Sequence, residues 1–225
     1  MATPLDKAEA YLRSSDMLDL PGAVLYSGDE TLRPGPVYIL GLNPGGSEGA
    51  TLRDSLEGSR QGHNAYLDES WAPGGNPQPV GKSTLQRRVQ NLCRLMGLEP
   101  RSVPISNLAF TRSTRIESHD DFDGAATASL PVHEIFIEAI DPEFLLTFGA
   151  LDNFSRVAPV DSVESRLADH GAWKAHRGFV NIANRRIPFG NIPHMSLWAS
   201  DKRQHVLQWV IENYTSRKET TCPSS

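Results

Sequence analysis

Cysteine is nearly absent, with two residues, Cys93 and Cys222, in a chain of 225. One falls inside a helical pattern and the other in the polar run Thr220-Thr221-Cys222-Pro223-Ser224-Ser225, so they supply neither a disulfide framework nor the ligand set of a zinc or iron–sulfur centre. The seven histidines (63, 119, 133, 170, 176, 194, 205) are scattered and form no pair at metal-binding helical spacing. The expectation is chemistry without a metal or a cofactor. Long apolar runs are missing too, and none approaches the roughly 18 residues that cross a bilayer. The first residues, Met1-Ala2-Thr3-Pro4-Leu5-Asp6-Lys7, have neither the basic start nor the apolar core of a secretory signal. A cytoplasmic chain with no membrane partner is expected, and nothing in the sequence demands an obligate protein partner. A general excess of positive charge is also lacking. The net charge of -5 and pI ≈ 5.8 argue against a uniformly basic nucleic-acid coat.

Charge is nevertheless distributed unevenly. From Arg112 to Asp169 four basic residues face twelve acidic ones, whereas from Gly171 to Val206 six basic residues oppose Asp201 alone. A solvated charged face accounts for either stretch, but the positive one surrounds His194 and so favours an anionic ligand there.

The chain is long enough for one sizeable domain over 1–225, with a core at about 37–213 and a polar tail at 215–225. The most informative stretch is Val37-Tyr38-Ile39-Leu40-Gly41-Leu42-Asn43-Pro44-Gly45-Gly46, where a buried-strand pattern breaks into a Gly-rich turn carrying one amide. Pro44 removes a donor and ends the strand, and the glycines let backbone approach a ligand closely. An ordinary strand-ending turn uses the same residue types.

Further along, residues 6–18 form an amphipathic helix, and 44–82 is a long polar loop of the kind that is functional or disordered. Ser83 caps a helix over 84–96 that stops at Gly97. Strands follow at 103–110, 143–149 and 186–192, with helices at 129–140, 150–157 and 201–213, while 159–178 is variable and charged. Strands alternating with helices predict an α/β fold of three layers, α/β/α, around a largely parallel four-stranded sheet. The run Gly75 to Thr84 echoes a phosphate-binding loop, but it has one residue too many between its glycines and two donor-removing prolines.

Taken together, Gly41-Leu42-Asn43-Pro44-Gly45, Asn107-Leu108 at a strand end, the strand Phe144 to Gly149, and His194-Met195-Ser196 resemble the uracil-DNA glycosylase superfamily. The likeness is to its mismatch-specific and single-strand-selective branches, with Met195 where the superfamily has Pro. It implies a monofunctional glycosylase that hydrolyses the N-glycosidic bond of uracil or another deaminated base in DNA, leaves an abasic site, and serves base excision repair. Asn43 would orient the attacking water and His194 would donate to the departing base. Asn107 would read the base edge, Tyr66 would stack on it, and Gly41, Leu42, Pro44, Gly45 and Ser196 would line the site. Such enzymes flip the base out of the helix and fill the gap with an apolar side chain. Leu197 and Trp198 occupy that position, although two large apolar residues there equally suit a core that seats the last helix. The alternative is a protein of the same fold that binds nucleic acid or a nucleobase-like ligand without cutting it.

Overall fold

A computed structural model describes residues 2–46 and 49–221. In chain order its main elements are α1 (Pro4–Ser14), β1 (Val37–Gly41), α2 (Leu52–Arg60), α3 (Ala65–Asp68), α4 (Thr84–Leu95), β2 (Ile105–Asn107), α5 (Phe122–Ile140), β3 (Phe144–Phe148), α6 (Leu151–Ser155), β4 (Val160–Leu167), β5 (Lys174–Ile182), β6 (Arg185–Ile192) and α7 (Gln204–Thr221). The tail expected over 215–225 is helical as far as Thr221, as a continuation of α7. Residues 222–225, and with them Cys222, lie outside the described residues. Among the described residues no helix is long and apolar enough to cross a membrane.

The sheet has six strands in the order β2-β1-β3-β6-β5-β4 and is mixed, which corrects the four-stranded expectation. The four anticipated strands are there, all mutually parallel. Of the two that were not anticipated, β5 joins β6 antiparallel and β4 joins β5 antiparallel at the sheet edge. β4 falls in the stretch that reads as variable and charged and β5 begins there; β4 is exposed along most of its length, so no burial imposes apolar alternation on it. Ser162, at φ 53, breaks the β4–β5 register as a bulge. The β5–β6 hairpin turns through Ala183-Asn184, both at φ 53, a type I′ geometry without the glycine that usually signals it.

Two apolar clusters cover the sheet, one on each face. Tyr38, Leu40 and Leu145 meet α1 and α5, while Val37, Ile39, Phe144, Leu146 and Phe148 meet α4 and α7. Burial on both faces is why β1 and β3 read as unbroken apolar runs. Each large side chain so buried contributes on the order of 1.5–3 kcal/mol.

Helix boundaries differ from the periodicity where capping outweighs hydrophobicity. The long polar loop contains α2, whose apolar residues Leu52 and Leu56 are few but whose start is fixed by a Thr51–Asp54 capping box, and the single turn α3. Helix α5 begins at Phe122 rather than 129, because the Asp121 carboxylate accepts the Gly124 N–H at 2.8 Å. Ser83 caps α4 as expected. A buried His133 ties α5 to the sheet: its Nε2–H donates to Leu108 O at 3.2 Å, and its Nδ1 accepts from the Tyr38 hydroxyl at 2.9 Å. Burial lowers its pKa to about 4, so the ring stays neutral.

Candidate active site at the carboxyl edge of the parallel strands

From β1 the chain crosses to β2 on one side and then returns to β3 on the other, so the strand order switches direction at β1. In open α/β sheets the crevice beyond the strand ends at such a point is where ligands bind. Register fixes what stands there. Gly41 pairs with Asn107, Leu40 with Thr147, Thr147 with Asn191, and Phe148 with Ile192. Gly41, Asn107, Phe148 and Ile192 therefore share one level, and Asn43 and His194 each lie two residues beyond it. Their strands are separated by β3, and two strand spacings put the strand ends on the order of 10 Å apart.

Close packing at this level explains Gly41. A Cβ on it would lie 2.1 Å from Asn107 Oδ1 and 3.0 Å from the Phe148 ring, so the missing side chain is what admits the Asn107 amide. The Phe148 ring in turn meets the His194 ring edge-on, with centroids 5.5 Å apart. Leu42 packs over Gly149, where a Cβ would come within 2.6 Å of it. Beneath, Asn191 Nδ2 donates to Thr147 Oγ1 at 2.9 Å and to Gly149 O at 3.2 Å, which locks the ends of β3 and β6 together.

The two polar side chains at the edge are held in fixed chemical orientations. Asn43 Nδ2 donates to Pro44 O at 2.9 Å, Ser113 Oγ at 2.9 Å and Ser113 O at 3.2 Å. Two of those partners are carbonyls, which only accept, so the amide cannot flip. Its Oδ1 receives no protein donor among the described residues and is left as an acceptor at the strand end. His194 is fixed by the same logic. Its Nδ1 faces the Ser196 backbone N–H at 3.3 Å and the Ser196 hydroxyl at 2.7 Å. A backbone N–H only donates, so Nδ1 accepts and the ring proton sits on Nε2. Burial lowers the His194 pKa, which keeps this neutral tautomer at pH 7.

The expected residues divide between those at the edge and those below it. Gly41, Leu42, Asn43, Pro44, Asn107 and His194 meet at the edge; Gly45 adjoins it with open space around its Cα, and Ser196 is exposed beside His194. Tyr66 is buried in α3 beneath two other rings, with centroids 5.5 Å from Tyr26 and 5.3 Å from Trp71. That corrects the stacking role given to it, because no face of the ring is free. Trp198 is also corrected. Its indole is fully buried and donates to Ala168 O at 2.7 Å, so it seats the loop rather than projecting as a wedge. Its neighbour Leu197 is 61% exposed. Met195 points into the core and its carbonyl accepts from Arg88 Nη1 at 2.8 Å, which anchors the loop from α4.

Four residues at the edge escaped the sequence. Ser113 orients Asn43, and it stands in the polar run Thr111 to Arg115 that reads only as a strand exit. Phe148 was visible as the apolar residue before Gly149, but not as a ring against His194. Tyr26 carries no motif. Burial pushes its phenol up to about 12, against the opposing influence of the Arg112 charge and the Asn107 amide, so the hydroxyl stays protonated beside both. Arg112 donates to Gly45 O and keeps a buried Nε with no hydrogen-bond partner among the described residues. No protein-family model matches the chain, and no curated protein does.

Proposed function

We propose that the chain is a monofunctional DNA glycosylase that hydrolyses the N-glycosidic bond of uracil or another deaminated base and leaves an abasic site, with no metal or cofactor in the reaction. The observation that carries this reading is the opposite commitment of the two edge side chains: Asn43 offers only an acceptor and His194 only a donor, from strand ends on the order of 10 Å apart. A nucleoside fits between such groups. Asn43 Oδ1 would hold a water against the anomeric carbon. An amide is not a strong base, but a sugar with oxocarbenium character needs only a placed nucleophile. As the glycosidic bond breaks, its electron pair leaves with the base, and His194 Nε2–H would hydrogen-bond the carbonyl oxygen where that charge collects. A neutral imidazole suits the task, since it stabilises the anion without having to surrender a full proton.

Asn107, admitted by Gly41, would present both a donor and an acceptor to the edge of the base, and Phe148 would form the floor between Asn107 and His194. Leu197, exposed beside Ser196, would be the apolar side chain that enters the duplex when the base turns out. Ser113 would act through Asn43 by holding its amide.

The test is single-turnover excision on end-labelled oligonucleotides carrying uracil, hypoxanthine or xanthine, single-stranded and paired, with alkali to reveal abasic sites. His194→Ala is expected to lower the rate by about 100-fold or more, the scale of one lost transition-state donor, and Asn43→Ala by about 100-fold through loss of the positioned water, while binding persists. Absence of excision by folded wild-type protein would favour the binding-only alternative.

A further inference from the structure

Beside the His194 loop lies an open hollow of ≈ 290 Å³ whose walls include Thr84, Arg87, Arg88 and Asn91 of α4, and Asp201 and Lys202 from the turn before α7. Three of these six side chains are cationic and one is anionic. None of Arg87, Arg88 and Lys202 forms an ion pair among the described residues, whereas Arg53, Arg101, Arg156, Arg185 and Arg186 each reach a carboxylate. Arg87 and Lys202 are exposed. Arg88 is partly buried and donates to Met195 O, which fixes the hollow against the loop carrying His194 and Leu197. Ala199, also on the wall, is two residues from the exposed Leu197. Asn91 and Thr84 add neutral hydrogen-bonding groups between the charges, and the first turn of α4 adds its dipole.

Unpaired cations held around a concavity, with neutral donors between them, suit an anion with several oxygens rather than a planar base or an apolar group. We propose that this hollow receives the sugar–phosphate backbone of DNA immediately beside the nucleotide at the candidate active site. Arg87 and Lys202 would neutralise backbone phosphates there. Arg88 holds the loop so that the backbone track and Leu197 keep a fixed spacing, and Asp201 weakens the contact. The inference rests on the reading of the neighbouring site as one that acts on DNA.

The experiment measures binding of an undamaged duplex by anisotropy across a salt series, with excision of uracil followed on the same preparations. Arg87→Gln combined with Lys202→Gln is expected to weaken binding at least 10-fold at about 50 mM salt and to make the slope of log affinity against log salt shallower by about 2. Asp201→Asn is expected to tighten binding severalfold, a gain that loss of folding cannot imitate. Arg33→Gln, in the segment leading into the opposite end of β1, removes one positive charge and is expected to change neither quantity. Unchanged affinity and slope in the double variant, or weaker binding in Asp201→Asn, would overturn the proposal. If wild type excises uracil while those variants bind as it does, the backbone track alone is lost. If the variants shift binding as expected while wild type excises nothing, the track stands and the glycosylase reading fails.

Discussion

Arginines in the antiparallel hairpin and arginines at the edge of the parallel strands are held in opposite ways. In the hairpin, Arg186 pairs with Asp161 at 2.7 Å and lies 3.5 Å over the Phe179 ring. Arg177 reaches Glu164 and Glu212 and packs over Trp209, and Arg185 pairs with Asp141. At the edge, Arg87, Arg88, Arg112 and Lys202 have no carboxylate partner among the described residues, and Arg88 and Arg112 instead donate to loop carbonyls. One group of charges is answered within the fold. The other is arranged around space. The contrast shows that a positive stretch in sequence is not a positive surface: half of the basic residues between Gly171 and Val206 belong to the hairpin and are paired, while the cationic wall beside His194 takes Arg87 and Arg88 from a helix a hundred residues away.

The sharpest test of this division is a pair of adjacent residues. Trp198 is buried and hydrogen-bonded, so Trp198→Ala is expected to cost about 3–5 kcal/mol of stability. Leu197→Ala, next to it but exposed, is expected to stay within about 0.5 kcal/mol of wild type, and to reduce excision from duplex more than from single strands. Urea unfolding and excision assays on the two variants would separate the roles, and equal stability losses would collapse the distinction.

A second test concerns the body of the fold below the edge. The His133 pKa is depressed to about 4 from an ordinary 6.5. Above pH 6.5 the ring is neutral in both folded and unfolded chains and no difference arises. Between 6.5 and 4 the unfolded chain takes a proton that the folded chain refuses, so stability falls as pH falls, by about 3 kcal/mol in all, and levels off below 4. His176 and His194, also lowered by burial, add in the same direction. Urea midpoints measured from pH 7 to 4 would show this decline, and a flat profile would contradict a neutral, buried His133.

The smallest effect is expected in the hairpin itself. Arg186→Gln breaks a solvent-exposed pair, which water and salt screen, and is expected to leave stability nearly unchanged, with DNA affinity and salt slope unchanged. A measurable loss of DNA binding in that variant would erase the difference between paired and unpaired charge on which the comparison depends.

Legibility followed burial. The strands that form β1 and β3 were readable because both their faces are covered, so their apolar runs leave no other reading. Strand β4 was not readable, because an exposed edge strand places no demand on its side chains. Helix α2 was hidden because its start is set by a capping box and only two apolar residues face the core. At the edge, Asn43 and His194 stood out as polar residues in strand-exit turns. Ser113 did not, since its part is to accept from an amide seventy residues earlier in the chain.

What the sequence by itself determined is therefore local: where the parallel strands lie, where each one ends, and which polar residue it delivers, all through hydrophobic period and the backbone habits of Gly, Pro and Asn. Only the tertiary structure decided which of those ends lie at one level, that Gly41 makes room for Asn107, which way the Asn43 amide and the His194 ring face, that Trp198 is core while Leu197 is surface, and which cations are left without partners. Those outcomes depend on contacts between residues far apart in the chain. Local propensity carries no information about them, because a hydrogen bond or an ion pair is set by where its partner is brought by the rest of the fold.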